Sequence, residues 1–195
     1  MSDIQQITVV QYDPAWPACF TALKKVFKTH LNEIISDIQH VGSTSVPGVA
    51  AKPVIDIDLV IEEKSKLQQV IMVLNQLGYQ HRGEMGITGR DAFGRLSAYA
   101  PDEGSNIIWP EHNLYCCVEN SPGFKNHILF RDFLRQNSNE ALAYGMLKMQ
   151  LASKYPNDIN SYVEHKTSFI TEILTRQGLS EKTINDISRE NTFSR

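Results

Sequence analysis

Two aspartates inside an otherwise apolar strand constrain this chain more than any other feature. Residues 54–61 read VIDIDLVI. Side chains of a strand alternate between faces, so Asp56 and Asp58 share one face while Ile55, Ile57 and Leu59 share the other. A strand apolar on both sides is usually central in its sheet and covered on both faces. Two carboxylates placed there repel each other and lose solvation, so ionising both calls for a cation or a dedicated partner. Divalent-metal sites for phosphate chemistry are commonly built this way: Mg²⁺ takes a few carboxylate oxygens and fills its other positions with water and phosphate. A salt bridge or cap is the alternative.

Just upstream, residues 38–41 read as a strand ending on Gly42-Ser43. Glycine lets a ligand approach the backbone closely, and amides at a following helical turn can accept a phosphate. Ser43, Thr44 and Ser45 add hydroxyl donors, although a Gly-Ser-Thr-Ser run taken alone also describes a plain loop. Pro47-Gly48 and Pro53 make residues 46–53 a turn with a helical fragment. Lys52 is either a phosphate contact or a solvated loop lysine.

An apolar residue, Gly-Ser, the gap 44–55 and then Asp-x-Asp resemble the signature of the nucleotidyltransferase superfamily. The longer string VGSTSVPGVAAKPVIDIDLV is similar, more narrowly, to the GrpB family, a branch of that superfamily. Residues 12–17, 130–135 (FRDFLR), 144–148 and 166–170 fit the same family pattern. The resemblance runs over about residues 8–175 and is weakest around 79–95. It implies the nucleotidyltransferase fold, a nucleoside triphosphate as partner, Mg²⁺ as cofactor held by Asp56 and Asp58, and Gly42 and Ser43 at the triphosphate. In that superfamily a third carboxylate usually comes from a neighbouring strand. The corresponding stretch here, HNLYC, offers none, and Glu111 and Glu119 lie at the strand ends without a matching position. His112 becomes the candidate general base, with a structural role at a strand edge as the alternative.

The remaining chain supplies further candidates and the architecture. Residues 7–12 read as a short strand, and Asp13-Pro14 starts a helix of about twenty residues with apolar positions from Trp16 to Ile34. A second helix runs from Ser65 to Gly78, residues 93–99 begin or follow into a strand, and the turn at 101–104 joins the two arms of a hairpin ending in 112–118. Arg90 suits a substrate anion by its guanidinium geometry, or is a surface arginine. In the last third, helices fall at 124–136, from Ser138 to about 155, and at 157–175. The stripe Ala141, Gly145, Lys148, Ala152 packs closely on another element, so Lys148 either carries its ammonium to a phosphate or reaches solvent; Lys166 is poised the same way. The expected fold is α+β: a nucleotidyltransferase-like mixed β-sheet of about five strands (residues 7–120) with flanking helices and a C-terminal helical bundle (123–176). One domain covers 1–178, and 179–195 is a polar tail or short helix.

The formal charge of −3 and the lack of a basic, aromatic-rich strand surface argue against nucleic acid as the partner. No stretch has the length of a membrane span, and MSDIQQ lacks the basic-then-apolar pattern of a secretion signal, so a cytoplasmic protein is expected. Cys19, Cys116 and Cys117 fit neither a disulfide framework nor zinc spacing and read as buried thiols. Two functions follow from these readings. One is nucleotidyl transfer to an unknown small-molecule or protein acceptor; the other is a catalytically silent nucleotide- or phosphometabolite-binding module on the same fold.

Overall fold

The computed structural model describes residues 6–192. Five strands form one mixed sheet: β1 (Asp37–Val41), β2 (Ile55–Ile61), β3 (Tyr79–His81), β4 (Arg90–Arg95) and β5 (His112–Val118), in the spatial order β1-β2-β5-β4-β3. The β2–β5 pair is parallel and the others are antiparallel. The aspartate strand is thus internal, flanked by β1 and β5, as its apolar character demands.

One face of the sheet carries Ile38, Ile55, Ile57, Leu59, Leu114 and Phe93 and is covered by α1 (Trp16–Leu31) and α2 (Leu67–Gln76). Leu23, Phe27, Leu31, Val70 and Leu74 from the two helices complete this core with essentially no exposure. The opposite face, bearing Asp56 and Asp58, looks toward α3 (Pro122–Gln136), α4 (Ser138–Lys154) and α5 (Ile159–Arg176). A second core joins those helices through Phe133, Leu134, Ala141, Tyr144 and Ile173, with Val46 and Val49 of the 46–53 segment inserted among them. Gly145 makes this possible, since a Cβ there would lie 3.1 Å from the Ala50 backbone nitrogen. The small-residue stripe on α4 therefore does what its composition suggests.

Several local expectations shift. Residues 7–12 make only an isolated bridge between Val10 and Ala51, because Ile7 turns its amide to the Pro156 carbonyl instead of to the sheet. Asp13 accepts from the Ala15 amide, and the helix proper begins two residues later than expected, at Trp16. Ser65 does not cap α2; its hydroxyl goes to Glu63, and a short 3₁₀ turn at Lys64–Lys66 leads into the helix. The strand expected at 93–99 lies earlier, at 90–95, and β4 and β5 do pair, but across the long loop 96–111 instead of a tight turn at 101–104. Beyond Gly178 the chain forms α6 (Glu181–Glu190), capped by the Ser180 hydroxyl and anchored by buried Ile187. Among the described residues no helix is long and apolar enough to cross a membrane. All three cysteines are free, with Cys116 and Cys117 buried.

Candidate active site

The site is built where β1 ends and β2 runs past it. Gly42 follows Val41 with φ +66° and ψ −172°, a combination that essentially only glycine adopts. A Cβ on Gly42 would lie 2.1 Å from Asp56 Oδ2, so the glycine is also required by contact with the carboxylate. The chain then makes one 3₁₀ turn, Ser43–Ser45, pinned by Ser45 donating to the Gly42 carbonyl. On the other flank, the register pairs Asp56 with Asn113 and Asp58 with Tyr115. Asn113 Nδ2 donates to Asp56 Oδ1 at 2.8 Å. An amide thus stands on the neighbouring strand, where a third carboxylate was looked for.

Asp56 is half-buried and borders two cavities that share Ser43, Tyr115, Tyr144 and Lys166. The first, about 200 Å³, is basic: Lys52, Lys148 and Lys166 converge on it. Lys148 is 3% exposed, and its Nζ has no hydrogen-bond partner, only the face of the Tyr144 ring at 4.5 Å. Burial, and secondarily the Lys166 charge, pulls the Lys148 pKa down to about 7 against the opposing pull of Asp56. Lys166 is drawn down to about 8 by burial and by Lys52. Asp56 moves the other way: burial raises its pKa, opposed by the Asn113 hydrogen bond and by the charges of His127 and Lys166. A buried ammonium without an acceptor, at Lys148, beside the half-buried Lys166 makes a ready anion site.

The second cavity, about 220 Å³, lies between the sheet and α3, α5 and α6. Its most informative side chain is His127, on α3. Asp58 is completely buried, and both its oxygens lie within reach of His127 Nδ1, at 2.9 and 3.1 Å. The imidazole lines the cavity, and Nε2 has no hydrogen-bond partner among the described residues. A histidine held through one nitrogen by a buried carboxylate, with the other nitrogen open, is the usual arrangement of an oriented proton acceptor. His127 was missed in the sequence because a single histidine on a helix has no distinguishing period; only the fold brings it to Asp58.

The sequence-derived candidates divide accordingly. Gly42, Ser43, Asp56, Lys148 and Arg90 all border the cavities. Lys52 is exposed but reaches the basic cavity. Thr44 also borders it, yet its hydroxyl is used internally, donating to the Val54 carbonyl and facing His40 Nε2 at 3.1 Å. Arg90 lies in the second cavity, away from Lys52 and Lys148 but in a cavity that Lys166 also lines, stacked on Tyr115 at 4.6 Å. Asp58 borders neither cavity, so as a metal ligand it stands behind its bond to His127. His112 does not belong to the site. It pairs in register with Ile55, on the apolar face, with Tyr79 Oη at 2.6 Å from Nε2 and the Pro110 carbonyl at 2.8 Å from Nδ1. Burial, aided by the Arg95 charge, holds its pKa down to about 4. A neutral, doubly bonded ring on the far side of the sheet cannot serve as the base.

Comparison with known proteins gives the family and the fold. The sequence model of the GrpB protein family matches residues 6–176. The glutamate-rich protein GrpB of Alkalihalophilus pseudofirmus is 32% identical over 170 residues, covering 87% of this chain and 94% of that one. The UPF0157 protein YqkA of Bacillus subtilis is 33% identical over 166 residues, 85% of this chain but 46% of that protein, so the chain spans about half the length of this relative. The crystal structure of GrpB from Enterococcus faecalis superposes with a TM-score of 0.72 at 32% identity, covering 87% and 99% of the two chains. The Cid1 poly(U) polymerase with MgGTP bound shares the fold at a TM-score of 0.50 and 12% identity, over 74% of this chain and 44% of the polymerase. The chain belongs to the GrpB family, on a nucleotidyltransferase-like fold.

Proposed function

We propose that the chain transfers a nucleotidyl group from a Mg²⁺-bound nucleoside triphosphate to an acceptor hydroxyl. One observation carries this reading: the Asp56 carboxylate stands between a lysine-lined cavity and a cavity lined by an oriented histidine. The lysine side suits the β- and γ-phosphates and the departing pyrophosphate, with Ser43 and the Gly42 turn beside them. Asp56 fits a metal ion, because burial disfavours its charge and its one close protein donor is the neutral Asn113 amide. Asp56 would hold Mg²⁺. Bound there, the ion supplies positive charge for the phosphate oxygens.

The protein's own part is positioning and proton transfer. The acceptor oxygen bonds to the α-phosphorus, the bond to the bridging oxygen breaks, and pyrophosphate leaves with the electron pair. The hydroxyl proton passes to His127 Nε2, and Asp58 fixes the ring and stabilises the imidazolium. Lys148 and Lys166 balance the charge of the leaving group.

A second reading, a nucleotide- or phosphometabolite-binding module without chemistry, is favoured by Asn113 standing where the superfamily usually has an acid. Calorimetric titration of ATP, GTP, CTP and UTP with Mg²⁺ into the wild type, Asp56→Asn and Asp58→Asn separates the two. Transfer predicts Mg²⁺-dependent binding lost in Asp56→Asn, and labelled-nucleotide transfer lost in both variants. Binding indifferent to Mg²⁺ and to both aspartates leaves only the silent module.

A further inference from the structure

We infer that the acceptor is a small hydroxyl compound bearing a carboxylate or phosphate, bound in the cavity that α6 closes, with Arg90 as its counter-charge; the inference rests on the nucleotidyl-transfer reading above. In-line displacement sets the attacking and leaving oxygens on opposite sides of the phosphorus. Lys52 and Lys148 line only the basic cavity and His127 only the other, with Lys166 on the wall they share, so the attacking hydroxyl enters from the His127 side, the 220 Å³ cavity.

That cavity has a definite chemistry. Ile87, Phe130, Ile170 and Ile187 offer apolar surface, and Asn126 and Asn191 offer amides. Arg90 is its one guanidinium. Arg90 Nε is sealed from solvent without a hydrogen-bond partner, and no carboxylate pairs with the side chain among the described residues. By contrast, Arg95 pairs with Glu111 and Arg131 with Asp132. Packing holds Arg90 in place: a Cβ at Gly123 would lie 2.8 Å from Arg90 Cβ and 3.0 Å from Ile87 Cγ2, so α3 begins directly against both residues. Arg90 is half-buried, but a guanidinium nitrogen sealed from water without an acceptor is costly, and a planar donor fork matches a carboxylate or phosphate.

Size narrows the class further. Ile187 is buried against the cavity and Asn191 borders it, so α6 forms a wall that a polymer end would have to displace. This helix lies beyond residues 6–176, the span of the family match. The acceptor wall is thus supplied from outside the span of the family match.

The test uses the full ¹⁵N-labelled chain with the lysine cavity saturated by inorganic tripolyphosphate. Glycerol 3-phosphate, 3-hydroxybutyrate and, as the neutral control, glycerol are titrated while the Arg90 Nε–Hε signal is followed. Both anions are expected to shift that signal and glycerol to leave it unmoved. Arg90→Met should weaken the anions about tenfold to a hundredfold while changing nucleoside triphosphate affinity by less than about twofold. An Arg90 signal unmoved by either anion overturns the inference. So does an Arg90→Met variant that loses triphosphate affinity in step with anion affinity, since the cavity then holds the nucleotide. Arg90-dependent anion binding in a protein that binds no nucleoside triphosphate overturns the transfer reading itself, and the acceptor role with it.

Discussion

Replacing Gly42 by alanine puts the tightest contact of the site to the test. The residue sits at φ +66°, ψ −172°, where a non-glycine residue costs about 1–3 kcal/mol in backbone strain. The new Cβ would fall 2.1 Å from Asp56 Oδ2 and 2.8 Å from Cγ, so the carboxylate must swing away. That movement gives up the Asn113 hydrogen bond, worth about 1.5–3 kcal/mol for a charged acceptor. The expected destabilisation is about 3–5 kcal/mol, adding these terms and allowing partial relaxation. A double-mutant cycle separates them. In an Asp56→Ala background the Cγ and Oδ2 contacts vanish, only Cβ at 3.0 Å remains, and Gly42→Ala should cost just the backbone part. Urea unfolding of the four proteins gives the coupling energy, expected at about 1–3 kcal/mol. Equal costs of Gly42→Ala in the two backgrounds would show that Asp56 and Gly42 are not interlocked, and the reasoning fails.

Other outcomes follow from the same geometry. Burial lowers the Lys148 pKa from 10.5 to about 7, so between those values the unfolded chain binds a proton that the folded chain lacks. Stability therefore rises with pH through that window, and the penalty is fully present below it. Lys148→Met should gain most over wild type near pH 6 and least near pH 10, roughly following that window; melting curves with a pH-independent difference would contradict this. At a pH of about 8.5, tripolyphosphate binding should take up close to one proton at Lys148, read by calorimetry in two buffers of different ionisation enthalpy; equal heats in both buffers count against the anion site. His127→Ala strips the buried Asp58 of its imidazole donor, leaving the Cys117 thiol, and should destabilise by about 2–4 kcal/mol in denaturant titrations, with a smaller loss when combined with Asp58→Asn; additive losses refute the pair. His112→Phe should lose about 1–2 kcal/mol from its two hydrogen bonds yet bind nucleotides as wild type does. Weakened binding there would return His112 to the site.

The parts of the site visible in the sequence were those written in local periods. Alternation put Asp56 and Asp58 on one face, the Gly-Ser turn allowed the close approach, and the small residues around Lys148 marked a crowded face while leaving open whether its ammonium reaches a phosphate or solvent. Alternation along 112–118 places His112 on one face with Leu114 and Cys116, but which side of the sheet that face lies on follows only from the register of β5 against β2. No local rule gives the register of a parallel pair whose connection runs through α2, β3 and β4. His127 and the lining role of Arg90 depended on packing alone, as did the ordering of α6, whose only apolar anchors, Ile184 and Ile187, sit in a polar sequence. The long loop 96–111 hid in the same way, because its Pro-Asp-Glu-Gly resembles a tight turn while its flanks do not pair there.

The two aspartates also act before there is a site. Each finds its partner far along the chain, Asp56 at Asn113, 57 positions on, and Asp58 at His127, 69 positions on. During synthesis they are bare charges inside VIDIDLVI, a segment whose remaining side chains favour stacking with other extended chains. Charges set into such a segment are gatekeepers against self-association. By that rule the pair guards the central strand against self-association until the rest of the sheet arrives. Neutral variants at either position should therefore also lower soluble yield, beside the losses of binding and transfer expected in the folded protein.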